Sequence, residues 1–346
     1  MSSGIFKAFN IEKDEQTIVS VLILQSVFLG IFAGAFDVGA HSIFLQTFDA
    51  SLIPNAFVVS GLAGIVMTSV YTRLQRNMRF SSFALLNLSF VAVATILLRL
   101  GFEYTTSKYL VFLVFVMMGP LTIISFLGFW GNVGRLFSLR QGKRLFGIID
   151  TGQIAGIILS SYAIPVLMSL KFAILDTLLI CAGSIFAALI IQFFVSRNPQ
   201  LTAKAFTGSR KKTKNSGFMQ LFRSRYTLLI TFFVVFSVIT AFFVHYSFIS
   251  ITKENYPESE NFAAFLGAFM GTLTIFTVII KTFLYGKLMK TYGLKLALLL
   301  TPVLIGIFSA IILISGSLYG FSVGASGFIF IFLLLSLSKL FAKSLK

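Results

Sequence analysis

The sequence predicts an all-helical integral membrane protein with about ten membrane-spanning helices. Of its 346 residues, 57% are hydrophobic and only 11% are charged, whereas a soluble domain carries about 25% charged residues. The chain also contains ten apolar runs close to the length of roughly 20 residues that a helix needs to cross a bilayer. Lys and Arg are concentrated in alternate connections between these runs. Soluble folds are therefore excluded.

The apolar runs define the predicted spans in chain order. They are residues 17–39, 54–75, 81–100, 108–130, 146–168, 172–195, 226–249, 262–284, 294–315 and 319–339. The first run is a helix rather than a signal peptide, because it is too long, follows acidic residues and has no small-residue cleavage site. The single cysteine, Cys181, lies inside an apolar run. A disulfide or a cysteine metal site is therefore excluded.

The basic residues predict the orientation of these spans. If the N-terminus is cytoplasmic, 24 of the 28 Lys and Arg residues lie on the cytoplasmic side, as the positive-inside rule expects. The exceptions are Arg99, Lys108, Lys171 and Lys253. Topology thus explains the net charge of +17, which argues against nucleic acid as a partner. We expect both termini in the cytoplasm and a lipid bilayer as the surroundings.

The longest polar stretch divides the predicted spans into six and four. Residues 197–225 contain the basic run Ser209–Lys214. We interpret this stretch as a cytoplasmic linker between an N-terminal six-helix bundle, 1–196, and a C-terminal bundle, 226–346. The linker either binds anionic lipid through its charge or only sets the topology. The sequence leaves both interpretations open.

A short repeat relates the two predicted bundles. Tyr71-Thr72-Arg73-Leu74-Gln75-Arg76 closes the second span, and Tyr285-Gly286-Lys287-Leu288-Met289-Lys290 closes the eighth, 214 residues later. Parallel repeats are typical of secondary transporters. Residues 286–295 resemble the cytoplasmic motif G-x-L-x-D-R-x-G-R-R of the major facilitator superfamily, with Lys290 where that motif has Asp. This resemblance implies a two-bundle transporter fold of the major-facilitator type.

A narrower resemblance covers the fourth, fifth and last spans. Its segments are Phe129-Trp130-Gly131-Asn132, Gly142-Lys143-Arg144-Leu145-Phe146, Gly152-Gln153-Ile154-Ala155-Gly156 and Ser338-Lys339-Leu340-Phe341-Ala342-Lys343. They resemble the ATP/ADP translocases of plastids and intracellular bacteria. The resemblance implies nucleotide exchange in a bacterial inner membrane, with Trp130, Asn132, Lys339 and Lys343 among the substrate-binding residues. Because the superfamily has twelve helices, it also implies missing C-terminal helices or a fused domain.

Four cations lie close together after the fourth span, namely Arg135, Arg140, Lys143 and Arg144. Arg140 and Arg144 are one helical turn apart, and a guanidinium binds phosphate oxygens through a planar pair of donors. The cluster either binds a phosphorylated substrate or supplies topogenic charge and contacts to lipid head groups. We expect Asp150 to pair with one of these cations or to take part in coupling.

Three ionisable residues lie near the predicted outer ends of two spans. Asp37 and His41 share a face of the first span, and His245 lies at a comparable level in the seventh. Histidine changes charge near neutral pH, so a coupling or gating role is one interpretation. The other is that all three side chains reach interfacial water.

Glycine spacing predicts close helix contacts in four places. The motifs have the form Gly-x-x-x-Gly and are Gly30/Gly34, Gly152/Gly156, Gly267/Gly271 and Gly320/Gly324. In the fourth span, Pro120 is expected to break or kink the helix, because proline lacks the N–H that the helix ladder needs.

The sequence favours transport over catalysis. It has two His, no paired inward carboxylates and no Gly-Lys-Ser/Thr phosphate loop, and it predicts no cofactor or resident metal. The main hypothesis is a secondary-active transporter for a phosphorylated small-molecule solute, a nucleotide by resemblance. The alternative is a transporter-like scaffold, sensor or lipid-handling module, and a membrane enzyme is the least favoured.

Overall fold

A computed structural model describes residues 11–12, 15–78, 80–105, 107–197, 225–320 and 328–344. Within these ranges the secondary structure is entirely helical. The α-helices are α1 Gln16–Thr47, α2 Ile53–Asn77, α3 Phe80–Tyr104, α4 Lys108–Leu136, α5 Leu139–Ser169, α6 Thr177–Arg197, α7 Arg225–Asn255, α8 Ser259–Ile279, α9 Gly286–Tyr319 and α10 Phe328–Ser344. Each predicted span overlaps one of these helices.

The described helices have the length and the surface of membrane spans. Helices α1 to α8 are each long and apolar enough to cross a bilayer, whereas α9 and α10 contain shorter apolar stretches, Val303–Tyr319 and Phe330–Lys339. Helix α2 shows the surface chemistry best, because Leu62 and Ile65 are 60% and 66% exposed. A helix face of exposed aliphatic side chains is stable in contact with lipid, whereas its exposure to water costs free energy.

The chain forms two compact units. The first comprises Met1–Phe206 and Glu258–Thr274, and the second comprises Thr207–Pro257 and Ile275–Lys346. In the first unit, α1 packs against α4, α5 and α6, while α4 also contacts α2 and α3. In the second unit, α10 packs against α7 and α9. The predicted bundle boundaries and linker stay a prediction, since residues 198–224 lie outside the described ranges.

Two of the predicted glycine motifs pack directly against each other, where α1 crosses α5. A Cβ atom at Gly156 would overlap the carbonyl oxygen of Val27, and one at Gly30 would overlap the carbonyl oxygen of Gln153. Across the same crossing, the Ser26 hydroxyl donates to the Ile149 carbonyl oxygen at 2.8 Å. The missing side chains therefore let the two backbones touch, as the motif predicts.

The other two glycine motifs differ from each other. Gly267 and Gly271 on α8 pack against α5, where added Cβ atoms would lie 2.7 Å from the Ser161 carbonyl oxygen and 2.8 Å from the Tyr162 ring. Gly320 instead follows the last residue of α9 with a φ of 86°, a backbone conformation that favours glycine at a helix end. The predicted position of Gly320 inside the tenth span is therefore wrong, its packing against another helix stays a prediction, and Gly324 lies outside the described residues.

Helix α4 continues through Pro120, so the first of the two predicted outcomes, a break, is wrong, and a kink stays a prediction. Proline leaves the carbonyl four residues earlier without its helical donor, and here that carbonyl belongs to Val116. The Ser60 hydroxyl of α2 donates to the Val116 oxygen at 2.7 Å. A neighbouring helix thus supplies the hydrogen bond that proline cannot, as in other membrane helices that contain proline.

The connection predicted between the eighth and ninth spans, residues 285–293, is helical in the structure. Residues Ile280–Tyr285 form a π-helical stretch between α8 and α9. The first copy of the short repeat, residues 71–76, lies at the end of α2. The second copy, residues 285–290, covers the last residue of the π-helical stretch and the start of α9. The side chains of Lys287 and Lys290 are not among those that the structure describes. The superposition of α2 on α8 stays a prediction.

Candidate functional site

The cationic segment begins with a capping box at the start of α5. The Ser138 hydroxyl accepts a hydrogen bond from the backbone N–H of Gln141 at 3.4 Å, and the Gln141 side-chain oxygen accepts one from the N–H of Ser138 at 3.0 Å. This reciprocal pair satisfies two donors that a helix start otherwise leaves unpaired. It fixes the first turns of α5, on which the Arg140 and Lys143 side chains are exposed.

Arg144 pairs with two carboxylates from the beginning of the chain. Its Nη2 atom lies 2.8 Å and 2.6 Å from the two carboxylate oxygens of Glu15, and its Nη1 atom lies 3.2 Å from Oε1 of Glu12. The Gln141 amide donates to Glu15 Oε1 at 2.7 Å. The Glu15 side chain is only 6% exposed, so these donors replace the hydration that burial removes.

The remaining members of the charged cluster lie on α4 and α5. Arg135 is exposed in the last turn of α4, within electrostatic range of the buried Tyr71 hydroxyl. Asp150 is half-buried on α5. Its pairing with one of the cations stays a prediction, as does the binding of phosphate by the cluster.

The structure brings the two motifs of the narrower resemblance into contact. The Trp130 ring on α4 lies edge-on to the Phe146 ring on α5, with 6.0 Å between centroids. Trp130 also contacts Phe129 at 5.4 Å. Phe146 lies back over Gly142, where an added Cβ atom would be 2.9 Å from the ring. A half-buried aromatic pair therefore sits within one turn of Lys143.

Asn132 belongs to a buried amide cluster that joins three helices. Its amide donates to the Gln192 side-chain oxygen on α6 at 3.2 Å, and the Gln25 amide on α1 donates to the same oxygen at 3.0 Å. All three side chains are less than 9% exposed, and Gln25 Oε1 has no hydrogen-bond partner among the described residues. Neither Gln25 nor Gln192 is ionisable, so charge does not mark them in the sequence, but an uncharged amide inside an apolar span is a signal that could have found both.

His41 does not reach interfacial water. The residue is 1% exposed, and its ring lies 5.1 Å from the Phe115 ring and 6.2 Å from the Phe57 ring. The Nδ1 atom is 2.7 Å from the Asp37 carbonyl oxygen and 3.4 Å from the Asp37 carboxylate, which is 40% exposed. The water-facing interpretation is therefore wrong for His41, because aromatic rings from α2 and α4 cover it. Its role in coupling or gating stays a prediction.

The second unit holds three predicted site residues. The Lys339 ammonium on α10 lies 4.2 Å above the centre of the Phe248 ring on α7, a geometry that stabilises a buried cation. His245 is half-buried on α7, and the Lys343 side chain lies outside the described residues. Within the described ranges, no three His, Cys, Asp or Glu side chains are placed to hold a metal ion.

A family comparison covers most of the chain. The sequence profile of the TLC ATP/ADP transporter family matches residues 99–339. The chain belongs to the TLC ATP/ADP transporter family. The matched region extends from the end of α3 into α10 and includes the cationic segment, the aromatic pair and Lys339. The predicted kinship is therefore confirmed.

Curated relatives of this TLC family member are ADP,ATP carriers. ADP,ATP carrier protein 1 of Chlamydia trachomatis is 24% identical over 223 residues, which cover 58% of this chain and 42% of the relative. The protein of the same name from Chlamydia muridarum is 23% identical over 202 residues, covering 53% of this chain and 38% of the relative. The chain thus spans about two fifths of the length of these relatives.

A solved structure confirms the fold class. The crystal structure of a mutant form of the nucleoside transporter NupG matches with a TM-score of 0.67, 14% identity, and coverage of 94% of this chain and 80% of the other. The TLC family member is therefore a multi-pass, all-helical membrane protein with a transporter fold of the major-facilitator type.

Proposed function

We propose that the protein is a secondary-active transporter that exchanges nucleotides, ATP and ADP by family, across a membrane by alternating access. The observation that carries the proposal is the position of the Trp130–Phe146 pair beside Lys143 and Arg144, inside the region that matches the family. A nucleotide combines an aromatic base with a polyanion. This part of the first unit offers a complementary group for each.

The aromatic pair suits the base, and the cations suit the phosphates. Stacking a base on an aromatic side chain contributes about 1 to 3 kcal/mol, and a hydrogen bond to a charged group contributes about 1.5 to 3 kcal/mol. Lys143 and Arg140 are exposed on the first turns of α5, so they can meet an anion without losing a buried partner. We assign them to the phosphates, with Arg135 and Arg144 as further cations.

The other predicted residues take supporting roles in the proposal. Asn132 positions the end of α4 through the amide cluster, next to Trp130. The assignment of Lys339 and Lys343 to substrate binding stays a prediction from the family resemblance. Coupling or gating falls to the following ionisable residues: Asp37, His41, Asp150 and His245. We further propose cytoplasmic termini, a bacterial inner membrane and no catalytic step.

The scaffold, sensor or lipid-handling alternative has less support. The family and the NupG-like fold are those of transporters, and no specific observation in the described part of the first unit favours a purely structural role. A half-buried aromatic pair next to exposed cations fits a solute with both aromatic and anionic parts better than it fits a lipid.

Equilibrium binding of labelled ADP to the purified chain in nanodiscs tests the assignment. We expect Lys143→Gln and Trp130→Leu each to weaken binding by about tenfold, which corresponds to about 1.4 kcal/mol at the lower end of these interactions. Lys108→Gln is the matched control, because Lys108 is an exposed cation at the opposite end of α4. Equal affinities in all four proteins would refute the assignment.

A further inference from the structure

We propose that Glu12 and Glu15 form an acidic latch, which occupies Arg144 until a phosphate group displaces it. The proposal rests on the proposed function for the identity of the displacing anion. It adds an internal competitor to the phosphate site, so that nucleotide binding releases Glu12 and Glu15, which precede α1.

The latch fills a site that is already built for an anion. Four donors converge on the carboxylates of Glu15 and Glu12. The Glu15 carboxylate accepts from Arg144 Nη2, from the Gln141 amide and from the backbone N–H of Glu12, whose nitrogen lies 3.2 Å from Oε2. The Glu12 carboxylate accepts from Arg144 Nη1. A planar guanidinium donates paired hydrogen bonds to carboxylate and to phosphate oxygens with the same geometry. The capping box holds Gln141 in place, so the donors of Gln141 and Arg144 stay on α5 when the latch leaves, whereas the N–H of Glu12 leaves with it.

The position of Glu15 allows exchange rather than permanent pairing. The residue immediately precedes α1, so its carboxylate can move into water when the hydrogen bond from the Glu15 N–H to the Glu12 carbonyl opens, without unpacking the helix. A buried carboxylate stays buried only while its partners compensate the lost hydration. When a phosphate binds Arg144, the Glu15 carboxylate loses its main partner. It is then more stable in water than buried.

Phosphate binds only the molecules in which the latch is open. The apparent affinity is therefore the intrinsic affinity multiplied by the open fraction. Removing the charge of Glu15 should therefore strengthen phosphate binding. A purely structural ion pair predicts no gain in affinity, because loss of Glu15 would leave the Arg144 side chain less well positioned and phosphate binding unchanged or weaker.

The test measures affinity for inorganic diphosphate and for ADP in the full chain, as wild type and as Glu15→Gln. We expect the variant to bind both ligands at least fivefold more tightly. Glu103→Gln is the matched control, since Glu103 also pairs with an arginine, Arg99, at 3.3 Å on a distant part of the first unit. The control should bind like the wild type.

Hydrogen exchange at the amides of Glu12 and Glu15 reports release of the latch directly. The Glu15 amide donates to the Glu12 carbonyl oxygen at 2.9 Å, and the Glu12 amide donates to the Glu15 carboxylate. Saturating diphosphate should speed exchange of both amides in the wild type. In Glu15→Gln both should exchange fast from the start, without a further response.

The Arg144→Gln variant should lose the response to diphosphate. Because it leaves Glu15 buried without its main partner, the double variant Glu15→Gln/Arg144→Gln is measured beside it to keep the fold intact. Unchanged or weaker anion binding in Glu15→Gln, or unchanged exchange in saturating diphosphate, would overturn the latch. Release by diphosphate together with absent nucleotide exchange would support the latch and refute the proposed function.

Discussion

A methyl group added at Gly156 should separate α1 from α5 and destabilise the first unit. The new Cβ atom would overlap the carbonyl oxygen of Val27 and lie 2.8 Å from the backbone nitrogen of Ile31. Both obstacles are backbone atoms, so no side-chain rotation relieves them. Overpacking of this kind costs about 1 to 3 kcal/mol, while replacing a helical Gly by Ala gains about 0.5 to 1 kcal/mol. The two effects together give a net loss for Gly156→Ala between about 0 and about 2.5 kcal/mol. Because both obstacles are backbone atoms, we expect a value toward the upper end of this range.

Gly147→Ala is the matched control for this substitution. Gly147 lies on the same helix, and an added Cβ atom there has no atom within 4 Å, so only the helix-propensity gain remains. Thermal unfolding in detergent, followed through the fluorescence of Trp130, compares the variants. We expect Gly156→Ala to melt several degrees below the wild type and Gly147→Ala at or above it. A Gly156→Ala protein as stable as Gly147→Ala would refute the close crossing of α1 and α5.

Two further predictions test the surroundings of the site and its orientation. Ser60→Ala should cost about 1 to 2 kcal/mol by leaving the buried Val116 carbonyl unpaired, whereas Ser69→Ala, which loses only an exposed bond within its own helix, should be neutral in the same melting assay. In intact cells, an impermeant thiol reagent should label a Cys placed at Ser259 but not one placed at Ser209; the reverse pattern would contradict the cytoplasmic linker.

Local sequence signals predicted the helices and their closest contacts. The spans follow from apolar length, which lipid imposes on each helix separately. The crossing at Gly30 and Gly156 follows from glycine spacing, because a missing side chain is needed wherever two backbones touch. The sequence also indicated that Trp130 and Phe146 matter, but only the packing of α4 on α5 shows that their rings meet.

Local sequence signals do not predict which residues pair when they are far apart in the chain. Arg144 finds Glu15 across 129 residues of chain, and no periodicity identifies which carboxylate will meet which cation. The hydrogen bond from Ser60 likewise depends on the position of α2 beside Pro120. His41 was placed near water because its level in the span was estimated from sequence alone, whereas the rings that cover it come from two other helices.

Nucleotide counterflow in proteoliposomes tests the central claim most directly. Liposomes containing the full chain are loaded with unlabelled ATP, and uptake of labelled ADP is followed with ADP, inorganic diphosphate or adenosine as competitors. We predict saturable uptake that requires internal nucleotide, that ADP inhibits strongly and that adenosine inhibits weakly. Uptake no greater than in protein-free liposomes, or equal inhibition by adenosine and ADP, would contradict a transporter that recognises nucleotide phosphates.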